Sequence, residues 1–261
     1  MKKTIIMCLL AMINVANSRT ITVEYDGKID TILLSEEDIR YMEVQESDDQ
    51  NVLAEFAKND PDNSVRVAAV NKLHNQTLLA DVATNSIHSY SRELAVRKLD
   101  NKIVLEQIAK NVSDDPEVRK WAIFKIENQS ILAFIAQNDK YPGLRGGAVR
   151  KLNDESLLKN IGKNDTNEWV RLAVAQKLLD QTFLEDIAKN SKEDFVRQNA
   201  ITCVTNKDFL TQLAENDKEK FVRQSALARL EDLKKKNQND ESTSKSTDEA
   251  KQKILQSDKK P

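Results

Sequence analysis

The chain contains few of the residues that build disulfide-linked, metal-binding or glycine-rich proteins. Its 261 residues include two cysteines, two histidines, five glycines and four prolines, and aromatic residues make up 5%. Cys8 lies close to the N-terminus, so a chain that loses its first residues keeps Cys203 alone and forms no intramolecular disulfide. Stability must therefore come from a hydrophobic core, for which the chain is long enough.

No catalytic or metal-binding motif is recognisable in the sequence. The histidines, His74 and His88, and the cysteines match no zinc-ligand spacing. Serine, histidine and aspartate occur in no nucleophile elbow or triad arrangement. We therefore predict no catalytic residue, no metal site and no cofactor.

Neither sign of charge dominates. The chain carries 40 Lys and Arg against 42 Asp and Glu, a net charge of −2 at pH 7. A nucleic-acid-binding protein normally has a net basic domain or a strong one-sided basic patch, and adsorption to a membrane needs a basic amphipathic helix. The charge pattern therefore predicts no nucleic-acid partner and no membrane partner.

The longest apolar run lies at the N-terminus. Lys2 and Lys3 precede the run from Ile5 to Ala16, and Ala16-Asn17-Ser18 has the small-x-small form of a signal-peptidase site. The run is shorter than the roughly 20 apolar residues that span a bilayer. We predict a signal peptide over 1–18, no membrane insertion after its removal, and a periplasmic or extracellular protein.

A repeat with a period of 26 residues fills most of the chain. Between Val52 and Lys234 nearly the same pattern occurs seven times, and only the third copy is longer, by one residue. The copies begin at Val52, Leu78, Val104, Ile131, Leu157, Phe183 and Phe209. A fixed period of this size is typical of a solenoid, in which each unit buries its apolar face only against its neighbours.

Each repeat contains two apolar stripes with helical spacing. Positions 1, 2, 5 and 6 predict a short helix A, and positions 14, 18, 19 and 22 predict a longer helix B after a polar turn. The residue before the next helix A is of a type that favours N-caps in five copies: Thr77, Ser130, Ser156, Thr182 and Asp208. We therefore predict an all-α solenoid of about seven two-helix repeats.

Two polar positions are constant through the array and define two ladders. The asparagine ladder at position 8 is Asn59, Asn85, Asn111, Asn138, Asn164, Asn190 and Asn216, and the arginine ladder at position 15 is Arg66, Arg92, Arg119, Arg145, Arg171, Arg197 and Arg223. Asparagine just past a helix tolerates left-handed geometry and satisfies free backbone groups. We interpret the arginines as structural, with their heads reaching neighbouring carbonyls or aspartates. A phosphate-binding ladder is the alternative.

Two further positions depart from their pattern once each. Position 6 is alanine except at Gly162, and we interpret this small-residue column as permitting close helix packing. Position 21 is lysine or arginine except at Cys203, and we predict that this column faces solvent. A disulfide-linked dimer through Cys203 is the minor alternative to an incidental free thiol.

The polar turn with its asparagine, the Val-Arg pair and the following Ala-Val-x-Lys-Leu resemble the HEAT-repeat family. The short unit is similar to the repeats of bilin-lyase-like proteins and of leucine-rich-repeat variants, and the resemblance covers residues 52–234. It implies an armadillo-like helical solenoid, used mostly as a protein-binding scaffold. A few members bind nucleic acid or catalyse reactions, and fold analogy alone does not choose among these uses.

An enzyme related to bilin lyases or to HEAT-type hydroxylases is therefore one alternative, and a nucleic-acid-binding solenoid is another. The hydroxylases hold iron with His-Glu pairs, whereas His74 and His88 are followed by Asn75 and Ser89. We expect a non-catalytic scaffold or adaptor whose partners are one or more proteins.

Variation among the repeats indicates where a partner binds. Positions 13, 17 and 20 lie on one flank of helix B, which we call the aromatic flank, and its aromatic members are Tyr90, Trp121, Phe124, Trp169, Phe195 and Phe221. These rings either cover the joins between repeats as part of the core or form a binding surface, since tryptophan and tyrosine dominate interface hot spots.

The fourth repeat is unusual because Gly146 and Gly147 lie in the first turn of its helix B. Each costs about 1 kcal/mol relative to alanine in a helix. Gly147 occupies the column that holds Trp121 one repeat earlier, so we interpret the pair as volume compensation. A notch at which a partner docks is the alternative.

The flanking segments differ from the repeats. Residues 19–51 predict a β-hairpin with a tight Asp26-Gly27 turn and a capping helix that Ser35 and Asp38 start and that runs through Val44. The repeat solenoid occupies 52–234. Residues 235–261 have almost no apolar side chains and predict a disordered polar tail.

Overall fold

The structure is a computed structural model that describes residues 20–25 and 28–236, with side chains from residue 31 onward. The predicted signal peptide, the Asp26-Gly27 turn and residues 237–261 of the predicted tail lie outside the described residues. The chain divides into two compact units, the first ending at Ile126 and the second beginning at Glu127. Each unit is described by itself below.

The first unit begins with the predicted hairpin and capping helix. Strand β1 (Thr20–Tyr25) pairs antiparallel with β2 (Lys28–Leu33). Helix α1 (Glu36–Glu46) starts with a full capping box, in which Ser35 and Asp38 each accept a hydrogen bond from the other's backbone N–H. The sequence therefore predicts the start of α1, and the helix continues two residues beyond Val44.

Six more helices form two rows in the first unit. They are α2 (Gln50–Asn59), α3 (Asn63–Lys72), α4 (Gln76–Asn85), α5 (Ser89–Lys98), α6 (Lys102–Lys110) and α7 (Pro116–Lys125). The even-numbered helices are the A helices and the odd-numbered ones the B helices, and each A packs against the B of its own repeat. Helix α3 also packs against α5, and α5 against α7, while α1 packs mainly against α3 and so begins the B row.

The second unit continues the same alternation. Its helices are α8 (Gln129–Asn138), α9 (Pro142–Lys151), α10 (Glu155–Asn164), α11 (Glu168–Leu178), α12 (Gln181–Asn190), α13 (Asp194–Ile201), α14 (Lys207–Asn216) and α15 over 220–236. One apolar cluster runs through its last repeats and includes Leu184, Val196, Ile201, Leu210 and Val222. The fold class is therefore the predicted all-α solenoid of about seven two-helix repeats, with a small hairpin and helix at its N-terminus.

The predicted N-caps of the A helices are wrong by two residues. The caps are instead Asp49, Asn75, Asn101, Asn128, Asp154, Asp180 and Asn206. Each side chain accepts a hydrogen bond from a backbone N–H in the first turn; Asn75, for example, accepts from Thr77 N and Leu78 N. The acidic or amide residue that closes each repeat thus starts the next helix, and Thr77, Ser130, Ser156, Thr182 and Asp208 lie inside the A helices.

The asparagine ladder does not adopt the predicted left-handed conformation. All seven residues are exposed, and six of them are the last residue of an A helix. Their amides bind one turn back: Asn85 Nδ2 donates to Asp81 Oδ1 at 2.7 Å and Asn138 Nδ2 donates to Phe134 O at 2.9 Å. Among the described non-glycine residues only Leu179 has a positive φ. Asparagine therefore closes the last turn from within the helix.

The basic column at position 21 faces solvent only in part: Lys177 is exposed, whereas the other basic residues of the column are half-buried. Its side chains donate to carbonyl oxygens at the end of the preceding B helix. Lys72 Nζ binds Gln45 O at 2.6 Å, Lys98 Nζ binds Val70 O at 2.8 Å, and Lys177 Nζ binds Arg150 O at 2.8 Å. A lysine at a helix C-terminus satisfies free carbonyls and interacts favourably with the helix dipole. Within each unit these side chains therefore link a repeat to the one before it, with the exception of the sixth repeat, which has Cys203 in this column.

The end of α11 differs because Cys203 replaces the lysine that would cap it. Gln176 Nε2 lies 3.7 Å from Cys203 Sγ, and no lysine of this column reaches the α11 carbonyls. The helix instead closes on itself: Leu179 adopts φ 53°, ψ 31°, and Asp180 N donates to Ala175 O at 3.2 Å. This is the Schellman type of ending, for which glycine is the usual residue.

Replacing Leu179 with glycine is expected to stabilise the protein. The left-handed conformation costs a non-glycine residue about 1–2 kcal/mol, and the greater freedom of glycine in the unfolded chain offsets part of that gain. The Leu179 side chain is 69% exposed, so little burial is lost. We expect a net gain of about 0.5–1 kcal/mol, measured by thermal or urea unfolding.

The control for this change is Asn153→Gly. Asn153 holds the equivalent position one repeat earlier, is also exposed, and lies outside the left-handed region. It should gain no stability. Equal effects of the two substitutions would contradict strain at Leu179.

Candidate functional site

The arginine ladder fastens the turn of its own repeat. In five repeats Nη1 of the arginine donates to the carbonyl oxygen six residues earlier, for example from Arg66 to Asp60 O at 2.7 Å and from Arg145 to Asp139 O at 2.8 Å. The third repeat is one residue longer, and there Nε and Nη2 of Arg119 both donate to Ala109 O. Arg66, Arg119 and Arg197 are buried and the other four are half-buried.

The same guanidinium groups also reach the turn of the next repeat. In the first unit Arg92 Nη2 lies 2.7 Å from Asp114 Oδ1, and in the second unit Arg145 holds both oxygens of Asp165 at 2.8 Å. Arg197 pairs with Asp217 through Nη2 alone, while its Nε donates to Ala188 O at 2.9 Å in its own repeat. Planar, bidentate pairing like that of Arg145 with Asp165 is the arrangement to which a guanidinium is best suited. The ladder therefore joins consecutive repeats, and its donors face the protein rather than an external phosphate.

The ladder begins one full period earlier than the sequence analysis places it. Arg40 in α1 binds Asp60 with Nε 2.7 Å from Oδ2, as the later arginines bind the aspartate of the following turn. Arg40 lies 26 residues before Arg66, and Ile39-Arg40 corresponds to Val65-Arg66. The repeat period was the signal that would have found it.

Two turns hold serine where the others hold the aspartate. Ser86 follows Arg66, whose Nη2 binds Asn63 Oδ1 at 3.2 Å within its own helix. Ser191 follows Arg171, whose Nη2 lies 3.5 Å from Glu168 Oε1, and Glu168 also accepts from Ser191 Oγ. A neighbouring residue thus supplies the acceptor where the aspartate is missing.

These contacts shift the pKa values of the groups involved. Burial acts to raise the pKa of Asp165, but hydrogen bonds from Arg145 and from the Asn167 backbone N–H lower it by more, so the net direction is downward. Burial lowers the pKa of His88, and the positive charges of Arg66 and Arg92 lower it further. The carboxylate is therefore held ionised and the imidazole neutral at pH 7.

The aromatic flank of the first unit forms a cluster around Trp121. Its indole Nε1 donates to Glu93 Oε1 at 3.0 Å, Arg97 lies over its ring at 4.7 Å from the centroid, and Phe124 meets it edge-on at 6.1 Å. Trp121 is thereby half-buried, whereas Phe124 remains 69% exposed. Trp121 therefore packs beneath the aromatic flank, and Phe124 is the ring of this cluster that is exposed to solvent.

Tyr90 lies at the start of α5 and shares a helix face with Glu93 and Arg97, three and seven residues later. Its side chain is 45% exposed. Ile87, in the turn before α5, is 79% exposed, and the sequence analysis did not single it out. The signal was available, because the other repeats hold lysine, proline, serine or threonine at that position.

The aromatic flank of the second unit is also open to solvent. Trp169 is 43% exposed and its indole Nε1 donates to Glu193 Oε2 at 2.7 Å. Glu193 lies two residues before Phe195, which is 72% exposed. The hydrogen bond therefore fixes the Trp169 ring beside the start of α13, where Phe195 projects.

Phe221 behaves differently from its predicted companions. It is partly buried and packs against the apolar cluster that contains Val196, Ala200 and Val222. Phe221, the last member of the aromatic flank, therefore belongs to the hydrophobic core. The compensation predicted between Gly147 and Trp121 concerns residues in different units and stays a prediction.

A pocket of about 70 Å³ lies between Glu168, Arg171, Asp186 and Ser191, which is too small for a cofactor. Within 20–25 and 28–236, no group of three or more His, Cys, Asp or Glu side chains is arranged to hold a metal ion. No helix in that part of the chain is both long and apolar enough to cross a bilayer.

Comparisons of the chain with protein-family models, with curated proteins and with solved structures find no match. The class of protein is therefore defined by the fold alone. It is an all-α solenoid in which charged ladders join consecutive repeats and aromatic side chains stand on the B helices.

Proposed function

We propose that the protein is an exported, non-catalytic scaffold of the HEAT-like type that binds a partner protein through the aromatic flank of its B helices. The observation that carries the proposal is exposure: Tyr90, Phe124, Trp169 and Phe195 are each at least 43% open to solvent. Single exposed aromatic side chains are common, but several of them at equivalent positions of the B helices indicate a binding surface.

The rigidity of these rings supports a binding role. Trp169 is held by Glu193, and Phe124 is supported edge-on by Trp121, so little side-chain freedom is lost when a partner covers them. An interface of this kind combines an apolar ring with a polar anchor, which is typical of hot-spot tryptophans. The N-terminal segment supports export to the periplasm or the extracellular space.

Alanine at Trp169 and Phe195 is expected to abolish partner binding while leaving the fold intact. Hot-spot truncations cost about 2–4 kcal/mol of binding free energy, which is at least a 30-fold loss of affinity. The measurement is quantitative capture from envelope extracts by the immobilised mature protein, followed by titration of the captured species.

Phe134→Ala is the matched control. Phe134 is 52% exposed but lies on the A helix α8, away from the aromatic flank. It should retain capture. Loss of capture by the Phe134 variant but not by the Trp169 and Phe195 variants would contradict the proposed surface.

A further inference from the structure

A second apolar surface lies at the start of the A row in the first unit. An open groove of about 510 Å³ runs along α2, with Val52, Phe56 and Pro61 as its apolar floor and Asn51, Glu55 and Asn59 on its rim. Val52 and Phe56 are half-exposed, although their repeat positions, 1 and 5, belong to the apolar stripe of helix A. The groove is separate from the aromatic flank.

The groove is open because the N-terminal cap covers the B row. Helix α1 packs mainly against α3 and supplies Arg40 to the ladder, as a preceding B helix would. The described residues contain no helix in the A row before α2. The space beside Val52 and Phe56 therefore lies where the described part of the chain supplies no preceding A helix.

The contacts between successive A helices show what fits such a place. In the second unit, position 6 of one A helix faces position 1 of the next: a Cβ on Gly162 would lie 2.9 Å from Phe183 Cε1. In the first unit, position 7 pairs with position 4 of the next, since Lys58 Nζ lies 2.7 Å from Asp81 Oδ2. A helix docked on α2 would thus place a small residue on Val52 and a basic residue beside Glu55. Glu55 already pairs with Lys58 at 2.8 Å, but Lys58 is shared with Asp81, so this lysine balances only one of the two carboxylates.

Charge argues against a second copy of this chain as the occupant. The last A helix, α14, carries Ala214 and Glu215 at positions 6 and 7. In an end-to-end copy the exposed Glu215 would face Glu55, and like charges in that arrangement disfavour association. A lysine or arginine in place of Glu215 makes the contact with Glu55 favourable.

We propose that the α2 groove binds an amphipathic helix of a partner protein, in which a small residue packs on Val52 and the following lysine or arginine pairs with Glu55. This is recognition of a helix in a groove, with the affinity supplied by apolar contact and the choice of partner by charge. It deepens the proposed scaffold role by adding a second docking surface and the chemistry of its ligand.

Two peptides from the chain itself provide matched probes. Residues 180–191 contain Ala188-Lys189 and residues 206–217 contain Ala214-Glu215, each with its own N-cap. Short free peptides are barely helical in water, so both are stapled on the solvent side. Amide shifts of the isotope-labelled mature protein are followed during titration. We expect the lysine peptide to shift α2 amides and to bind about fivefold more tightly than the glutamate peptide.

Glu55→Lys should reverse the preference between the two peptides. The variant loses the ion pair between Glu55 and Lys58, but the Glu55 side chain is 64% exposed, so solvent screens that pair and the fold is kept. Lys58 retains Asp81 as its partner. Trp169→Ala should leave peptide binding unchanged, which separates failure of this inference from failure of the aromatic flank. Three results would each overturn the inference: no shift in α2 with either peptide, an unreversed preference in Glu55→Lys, or a concentration-dependent oligomer that Glu55→Lys strengthens.

Discussion

Replacing Asp165 with alanine is expected to lower the free energy of unfolding by about 3 kcal/mol. Arg145 and Asp165 form a bidentate pair at 2.8 Å, with 11% and 7% of their side chains exposed. Removing the carboxylate leaves the guanidinium buried without its charge partner, which costs more than the pair itself contributes. Asp165 Oδ1 also accepts from Asn167 N at 2.8 Å, so the turn before α11 loses an acceptor. Chemical unfolding measures the change.

Acidification should reproduce part of this loss in the unaltered protein. The pKa of Asp165 is lowered in the folded state, although burial alone would raise it, because Arg145 and Asn167 N bind the ionised form. The unfolded chain therefore takes up the proton first as pH falls. The stabilisation is complete above the unfolded pKa of about 4 and is lost as pH falls through the folded pKa. The stability difference between the protein and Asp165→Asn should accordingly shrink below pH of about 4.

Lys159→Ala is the control for the Asp165 variant. Lys159 pairs with Glu155 at 2.6 Å on the same repeat, but both side chains are more than 60% exposed. Solvent screens such a pair, so the melting temperature should not change measurably. Similar losses of stability in the two variants would show that burial does not increase the contribution of the Arg145–Asp165 pair.

Gly162→Ala is expected to destabilise the protein by about 1–3 kcal/mol, although alanine is the better helix former. Gly162 is buried in α10, and an added Cβ would lie 2.9 Å from both Phe183 Cε1 and Val174 Cγ1. Such approaches force neighbouring side chains to shift. Val174 fills position 18 of the fifth repeat, where the other six repeats carry alanine, and it therefore requires glycine at position 6. Phenylalanine alone does not, because Ala188 stands in the same relation to Phe209.

Two further variants make the Gly162 prediction specific. Gly146→Ala should stabilise by about 1 kcal/mol, because an added Cβ there meets only the flexible end of Arg150 at 4.0 Å. Val174→Ala combined with Gly162→Ala should recover most of the lost stability, since it removes the larger side chain and gives the pair of alanines that the other six repeats carry at these positions. Additive losses in the double variant would contradict direct compensation between these two residues.

The period and the apolar stripes predict the fold class, because each repeat buries its apolar face against its neighbours. The helix boundaries were harder to predict from the sequence. The A helices begin at asparagine or aspartate two residues before Thr77 and its equivalents, since either residue type is a competent N-cap. Propensity alone does not choose the N-cap from two candidates that lie two residues apart. The choice depends on which side chain reaches a free backbone N–H.

The contacts between repeats were the hardest to predict. The lysines at position 21 look like solvent-facing residues in the sequence, and only the packed structure brings Lys98 to the carbonyls of Val70 and Asn71. Glutamines at the start of several A helices act similarly; Gln76 Oε1 accepts from Asp100 N at 2.8 Å, in the turn before the next A helix. These bonds join residues more than 20 apart and have no local signal.

The sequence analysis selected the residues of the candidate surface by their position in the repeat, not by the exposure of each side chain. Position 13 correctly brings Tyr90, Trp169 and Phe195 to the starts of the B helices, where they are exposed. The sequence did not distinguish Phe221, which packs on the core of the last repeat. Exposure at one position thus depends on the neighbours that each repeat supplies.

The most direct test compares the melting temperatures of Asp165→Ala and Trp169→Ala, two residues four positions apart in the fifth repeat. If the charge pairs of the arginine ladder hold consecutive repeats together while the variable rings are reserved for a partner, Asp165→Ala melts well below the unaltered protein and Trp169→Ala melts close to it. The reverse order, with the tryptophan variant unfolding first, would contradict that division of roles.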